Sequence, residues 1–469
     1  MPPIAVPASF WRGGTSRGLL VRAERLAAYP ARVRDGILKA ALGSPDPAGR
    51  QISGLGGGVS SLSKVAIVSA PGEARQLQQE WGPLPGVPWA DDGTRHGREW
   101  DVVYRFGQVP VKTDDPIDWT ASCGNMVAAA ALSALSTSIV PYSKVFLRAK
   151  ALPRSDDVDP FAPVSFPISL LSASNGVVMR AHVPIDPVSL QVYEPARGRG
   201  VEIAGVPGRD EPGIEVEMPL DFDASPGGTE AKGGLVTGRA TDVVSLPDDD
   251  GATVTVSILT SGLPNVFLPV SSLLAIPSAS HLPANLLTLS TQALTAIPDL
   301  STLLEQIRTT AARHFSIPLS LASPKIALVG PVPHEGYVTS AGQRVEKVDA
   351  DVLVRAVSSG DWHATVPGTT LGALNVGAGI EGTVVHDLVH SRTTARTDAA
   401  TLDRTRAGRK VSIRAAHLAG VAESTVRFDD VDGSVAESVV MVRTAREIMR
   451  GEVLVPEHVF FPSHPLDPP

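Results

Sequence analysis

The chain has 469 residues, 43% hydrophobic and 19% charged, too many for one ordinary core, so two globular domains are expected. Its formal net charge of −8 argues against nucleic acid as the main partner, because phosphate neutralisation needs a basic face, although local donors can still hold a small anion. A single cysteine, Cys123, excludes a disulfide framework or a multi-cysteine zinc site. The opening MPPIAVPASF is neither a secretory nor a mitochondrial leader, and no apolar run reaches roughly 18 residues. A cytoplasmic protein without membrane attachment is therefore expected.

In chain order, FWRGGTSRGLL (10–20) reads as two strands joined by a Gly-rich turn, and KVAIVSA (64–70) and DVVYRFGQV (101–109) as strands. WTASCGNMVAAAALSAL (119–135) has a polar turn followed by an Ala-rich helix, apolar on all sides and so buried. Turn signals crowd GVPGRDEPG (205–213) and SLPDDDG (245–251). Two domains, 1–235 and 236–469, are placed around this region, the last segment able to pack back on the first. DLSTLLEQIRTTAARHF (299–315) is an amphipathic helix that Asp299 or Ser301 can cap. HATVPGTTLGALNVGAG (363–379) repeats the polar turn and small-residue helix. VSIRAA (411–416) and SVVMVRT (438–444) read as strands, and TAREIMRG (444–451) as a short helix stopped by Gly451. The class is α+β, each half wrapping a sheet around one central helix.

GLGGGVSSLSK (54–64) raises the question of a phosphate loop. The P-loop pattern fails, because Lys64 stands six residues beyond Gly58 and Val65 follows it. A dinucleotide fingerprint fails too. What remains is an anion nest of backbone N–H groups with Ser60, Ser61 and Ser63 as extra donors and Lys64 at its edge. Arg12 and Arg17 flank a second nest, GGTS; arginine forks match carboxylates. SCGNM (122–126) opens the buried helix, where the dipole and free N–H groups favour an anion and a Cys123 thiolate. His363 and His417 sit near small-residue turns in the second half. Each stretch alone also fits a plain turn, a buried thiol or a structural histidine.

Together and in this order, RGGTSRG, GLGGGVSSLSKVAIVS, CGNM, SPKIALVG, the PGT turn and RTAREIMRGEVLVP resemble the PrpF family, over about residues 9 to 456. The resemblance implies a diaminopimelate-epimerase-like fold of two similar domains, with the site in the cleft between them. It implies an isomerase of aconitate-like substrates that needs no cofactor and no metal. Lys64 matches the family's base and Cys123 the cysteine facing the substrate. Gly14, Thr15, Ser16, Gly57, Ser60, Ser61, Gly124, Asn125 and Met126 match substrate-cradling positions, joined by Arg12 and Arg17. Lys325, His363, Thr369, Thr370 and His417 are the second-half candidates. Family members carry lysine at the place of Arg17, GTG at Gly368–Thr369–Thr370 and HPSG at His417–Leu418–Ala419–Gly420, which leaves the second-half contacts least defined. Epimerases of this fold use two cysteines; one cysteine excludes two-thiol racemisation.

The substrate expected is cis-aconitate, converted to trans-aconitate. The scarcity of lysine beside arginine and the Pro, Ser and Asp residues in loops suit a fungal member feeding itaconate biosynthesis. 2-Methylaconitate cis–trans isomerisation and 4-oxalomesaconate tautomerisation are alternatives within the family. A non-catalytic tricarboxylate-binding accessory protein is the alternative of another class, but a pure binder needs neither base nor thiol. An iron–sulfur hydro-lyase lacks its cysteine triad. The one partner expected is the small-molecule tricarboxylate; a homodimer is a compatible assembly.

Overall fold

The computed structural model describes residues 2–72, 94–95, 98–120, 123–152, 162–174, 176–220, 232–246, 251–390, 409–428 and 435–461. Ser122 and most of the SLPDDDG turn lie outside the described residues. Two compact units emerge: Met1–Val201 with Arg209–Val216 and Arg443–Pro469, and Glu202–Gly208 with Glu217–Val442. The chain changes unit within the Gly- and Pro-rich stretch and again after Val442.

In the first unit β1 (Ile4–Gly13) and β2 (Ser16–Arg22) form a hairpin with Gly13 opposite Ser16. α1 (Ala31–Leu42) follows. β3 (Lys64–Ser69) then runs parallel to β2, with Gly18 beside Lys64. β4 (Val102–Gln108) is antiparallel to β3 and sets Gln108 opposite Lys64. After α2 (Gly124–Ser136), β5 (Val164–Ser172) is parallel to β4 and β6 (Val178–Ile185) antiparallel to β5.

The two-residue period of a strand decides which side chains meet which helix. Val65 and Ile67 join Ile37, Leu38 and Leu42 of α1 in one core cluster. Lys64, Ala66 and Val68 therefore take the opposite face. α2 lies on that face, with every residue from Met126 to Ala131 fully buried. Alanines there let the helix approach the sheet closely; larger side chains would overpack it.

The second unit repeats this order. β7 (Asp242–Leu246), β8 (Ala252–Thr260) and β9 (Pro264–Pro269) form an antiparallel meander. α3 (Pro298–His314) precedes β10 (Lys325–Gly330), which is parallel to β9 with Asn265 beside Lys325. β11 (Val352–Ser358) is antiparallel to β10. Then come α4 (Gly368–Gly379), buried from Gly368 to Ala378, and β12 (Lys410–His417), parallel to β11. β13 (Gly420–Phe428) and β14 (Ala436–Arg443) complete the run as antiparallel neighbours. The α+β class and the two similar halves, each with a sheet against a buried central helix, are thus as the sequence predicts.

Two local expectations are corrected. Residues 444–451 are not a helix: β15 (Ala445–Val455) pairs antiparallel with β1 from Gly13↔Ala445 to Ile4↔Val455. The ladder offered by β1 overrides the weak helical preference of AREIMR, and Ala445, Val453 and Val455 are buried in the process. The cap of α3 is Ile297, with Pro298 at the first helical position and no side-chain cap bond. Asp299 sits inside the first turn, where its charge suits the dipole.

Candidate active site

Two glycines shape the β1–β2 tip. Gly14 has φ +48°, a conformation that L side chains rarely adopt, and a side chain there would collide with Asn125 Oδ1. The tip therefore lies against the first turn of α2. Asn125 Nδ2 donates to Thr15 Oγ1 at 3.1 Å and to Ser16 Oγ at 3.2 Å. Its Oδ1 accepts from Arg443 Nε at 2.9 Å. Thr15, Ser16, Gly124 and Asn125, expected to act together, are thus brought together. We expect Gly14→Val to destabilise the protein by about 1–3 kcal/mol, read as a lower urea midpoint with an unchanged slope.

Lys64 begins β3 and is only 7% exposed. Its Nζ donates to Gln108 Oε1 at 2.6 Å, and no carboxylate pairs with it among the described residues. Burial pushes the Lys64 ammonium below its ordinary value, while the negative charge of a Cys123 thiolate works the other way. Cys123 is the N-cap of α2, half-buried, with a free thiol. Tyr104 Oη donates to its carbonyl at 3.3 Å. Burial also pulls Arg443 down to about 10, again opposed by Cys123. The thiol, the amine and the buried guanidinium therefore share one electrostatic neighbourhood.

The glycine-rich loop is partly self-satisfied. Gln51 Oε1 accepts from Gly58 N at 2.9 Å and from Ser63 Oγ at 2.5 Å. Ser60 is buried and its carbonyl accepts from Gln108 Nε2 at 3.0 Å, while Ser61 is half-buried. Gly57 lies against the Arg17 guanidinium.

The two arginines of the hairpin have different surroundings. Arg12 Nη2 lies 3.1 Å from Glu211 Oε2, and its Nη1 donates to Thr444 Oγ1 at 2.8 Å. It braces the hairpin. Arg17 has no ion pair or hydrogen bond among the described residues; its guanidinium stands 5.8 Å from the Phe10 ring centre, and its Nε is buried without a partner. Met126 is fully buried and packs on Gly18, so its side chain is a wall of the core.

The second unit builds an analogous cluster. Lys325 Nζ donates to Thr369 Oγ1 at 2.7 Å. Thr370 Oγ1 donates to Asn265 Oδ1 at 2.7 Å, and Ser261 Oγ to Thr369 O at 2.8 Å. Lys325, Thr369 and Thr370 thus meet at the start of α4. His363 is half-buried, its N–H donating to Ala356 O at 2.9 Å. His417 is buried at the end of β12, where its carbonyl accepts from Tyr337 Oη at 2.6 Å. Among the described residues no three His, Cys, Asp or Glu side chains converge on a metal-sized centre.

Sequence reasoning missed Gln108, Arg443 and Asn265. Gln108 lies one residue from the end of the predicted strand at 101–109, but the register that sets it opposite Lys64 appears only in the fold. Arg443 carried none, because its partner Asn125 is 318 residues away.

Comparison with known proteins places this chain in a family. The PrpF protein family model matches residues 3–77 and 94–456. The 2-methyl-aconitate isomerase of Cupriavidus necator is 28% identical, over 98% of this chain and 99% of that one. That of Shewanella oneidensis is also 28% identical, over 97% and 98%. The 3-methylitaconate isomerase of Eubacterium barkeri is 27% identical, over 96% and 97%. In the crystal structure of a methylitaconate-delta-isomerase the same fold recurs, with a TM-score of 0.60 at 23% identity over 98% of both chains. With a match that spans both units and every motif around Lys64 and Cys123, the chain belongs to the PrpF family and is an isomerase.

Proposed function

We propose that the protein interconverts cis and trans forms of an aconitate-type tricarboxylate by allylic proton abstraction and return, with Lys64 as the base. The observation that carries this reading is the Lys64 amine: buried, with no carboxylate partner among the described residues, and held down in pKa by desolvation. Such an amine is available in its neutral form at a lower pH than a surface lysine would be.

The substrate methylene lies beside a double bond and next to a carboxylate. Lys64 takes one of its protons, and the electron pair left behind delocalises over the former double bond into the carboxylate. That bond gains single-bond character and rotates. The proton then returns to the same carbon, or to the far end of the allylic system, where it shifts the double bond. Nothing is oxidised or reduced, and the step consumes no cofactor. Arg17, whose guanidinium has no ion pair or hydrogen bond among the described residues, meets a substrate carboxylate; the hydroxyls of Thr15 and Ser16 and the N–H groups at the start of α2 oppose charge growing on enolate oxygens. Cys123 is the partner acid or base.

Two substrates share that methylene. The sequence favours cis-aconitate, whereas the names of the relatives favour 2-methylaconitate. Incubation with cis-aconitate, 2-methylaconitate and 4-oxalomesaconate in deuterated water, followed by proton NMR, decides among them. We expect one of the first two to isomerise with deuterium entering its methylene. Binding of all three without exchange or isomerisation would instead establish the accessory-protein reading.

A further inference from the structure

We infer that Gln108 is a positioning residue for the reaction, fixing the Lys64 amine through an amide whose orientation the protein dictates. This rests on the reading of Lys64 as the base. The argument begins with acceptors. Gln108 Nε2 faces the carbonyl oxygens of Ser60 at 3.0 Å, Ser63 at 3.2 Å and Val109 at 3.4 Å. Carbonyl oxygens only accept, so the NH2 end of the amide must point at them and Oε1 must point at Lys64. Backbone bonds in both directions with Asp118, at 2.9 and 3.0 Å, anchor Gln108 itself, and the β3–β4 register puts it directly opposite Lys64.

A neutral amine has two N–H donors and one lone pair. One donor is spent on Gln108 Oε1, which fixes where the nitrogen sits and leaves its lone pair turned away from the amide. An uncharged acceptor at this place does so without locking the proton on. A carboxylate would stabilise the ammonium and disable the base; an apolar side chain would let the amine wander. Glutamine supplies a strong acceptor with no net charge.

The test compares Gln108→Glu and Gln108→Met with wild type in the deuterium-exchange assay across pH, each normalised to its folded fraction by near-ultraviolet circular dichroism. Lys64→Ala is run beside them. For Gln108→Glu we expect the limb along which the rate rises with pH to move upward by about one unit or more, so that the rate on that limb falls about tenfold. For Gln108→Met the limb moves downward and kcat at the plateau falls, with KM little changed. A purely structural role would lower the folded fraction and leave the limb in place. If both Gln108 variants retain the wild-type limb while Lys64→Ala is inactive, the positioning role is overturned and the base stands. If Lys64→Ala still exchanges, the base itself falls. Gln108→Asn, which keeps the amide but withdraws its oxygen, replaces either variant that fails to fold; it is expected to lower kcat, and unchanged kcat would overturn the role.

Discussion

Lys64→Ala is expected to abolish deuterium uptake into the substrate, a loss of at least about 10²–10⁴-fold, the range supplied by a positioned general base. The fold should survive. Among the described residues Nζ makes one hydrogen bond, to Gln108, and removing it leaves a buried Oε1 unsatisfied at about 1–3 kcal/mol. Relief from burying an amine that no carboxylate among the described residues pairs with offsets part of that. Proton NMR reads the exchange and thermal unfolding reads the fold; a folded variant that still exchanges would remove Lys64 from the mechanism. The wild-type pH profile carries the matching sign. The base acts when neutral, so kcat/KM should rise with pH through the Lys64 pKa and then level off. Burial places that pKa below the ordinary 10.5 and a Cys123 thiolate pulls it back up, so the rise should finish below the range of an exposed lysine. A profile that falls with pH throughout would contradict this.

The second large effect is at Arg17. Replacing it with methionine should raise KM by about 10- to 100-fold, the equivalent of losing a charged hydrogen bond of about 1.5–3 kcal/mol, while kcat changes much less. Stability should hold, because the guanidinium has no ion pair or hydrogen bond among the described residues, and its buried Nε is already unsatisfied. Steady-state kinetics and urea unfolding test both halves of the statement. An unchanged KM would show that the cation does not meet substrate. A large drop in stability would show that it braces the protein, as Arg12 does through Glu211 and Thr444.

Much of this was legible in the amino-acid order, for identifiable reasons. The strands at 64–69, 102–108 and 410–417 and the helix at 298–314 announce themselves through local period and β-branching. The buried helices showed themselves by being small and apolar on every side, and Lys64 and Cys123 by the motifs around them. What stayed hidden depends on distant pairing. AREIMRG reads as a helix until β1 presents its edge. Arg12 and Arg17 look alike in sequence, yet one is committed to Glu211 and the other is not. Arg443 becomes part of the site only because the chain returns to Asn125.

That return has a consequence for how the protein is made. Arg12 meets Thr444 across 432 residues, and the first strand gets its outer neighbour from a stretch made long after it. At the usual pace of synthesis the amino-terminal hairpin waits roughly 20–90 s for that partner. The intervening unit can collapse on its own in that interval, while the nascent amino-terminal one keeps an open sheet border and lacks the guanidinium that braces Asn125. The brace on Asn125 thus arrives late, once residue 443 has been made, and a ribosome that stalls short of it leaves a chain without that guanidinium and with an unpaired border exposed to aggregation.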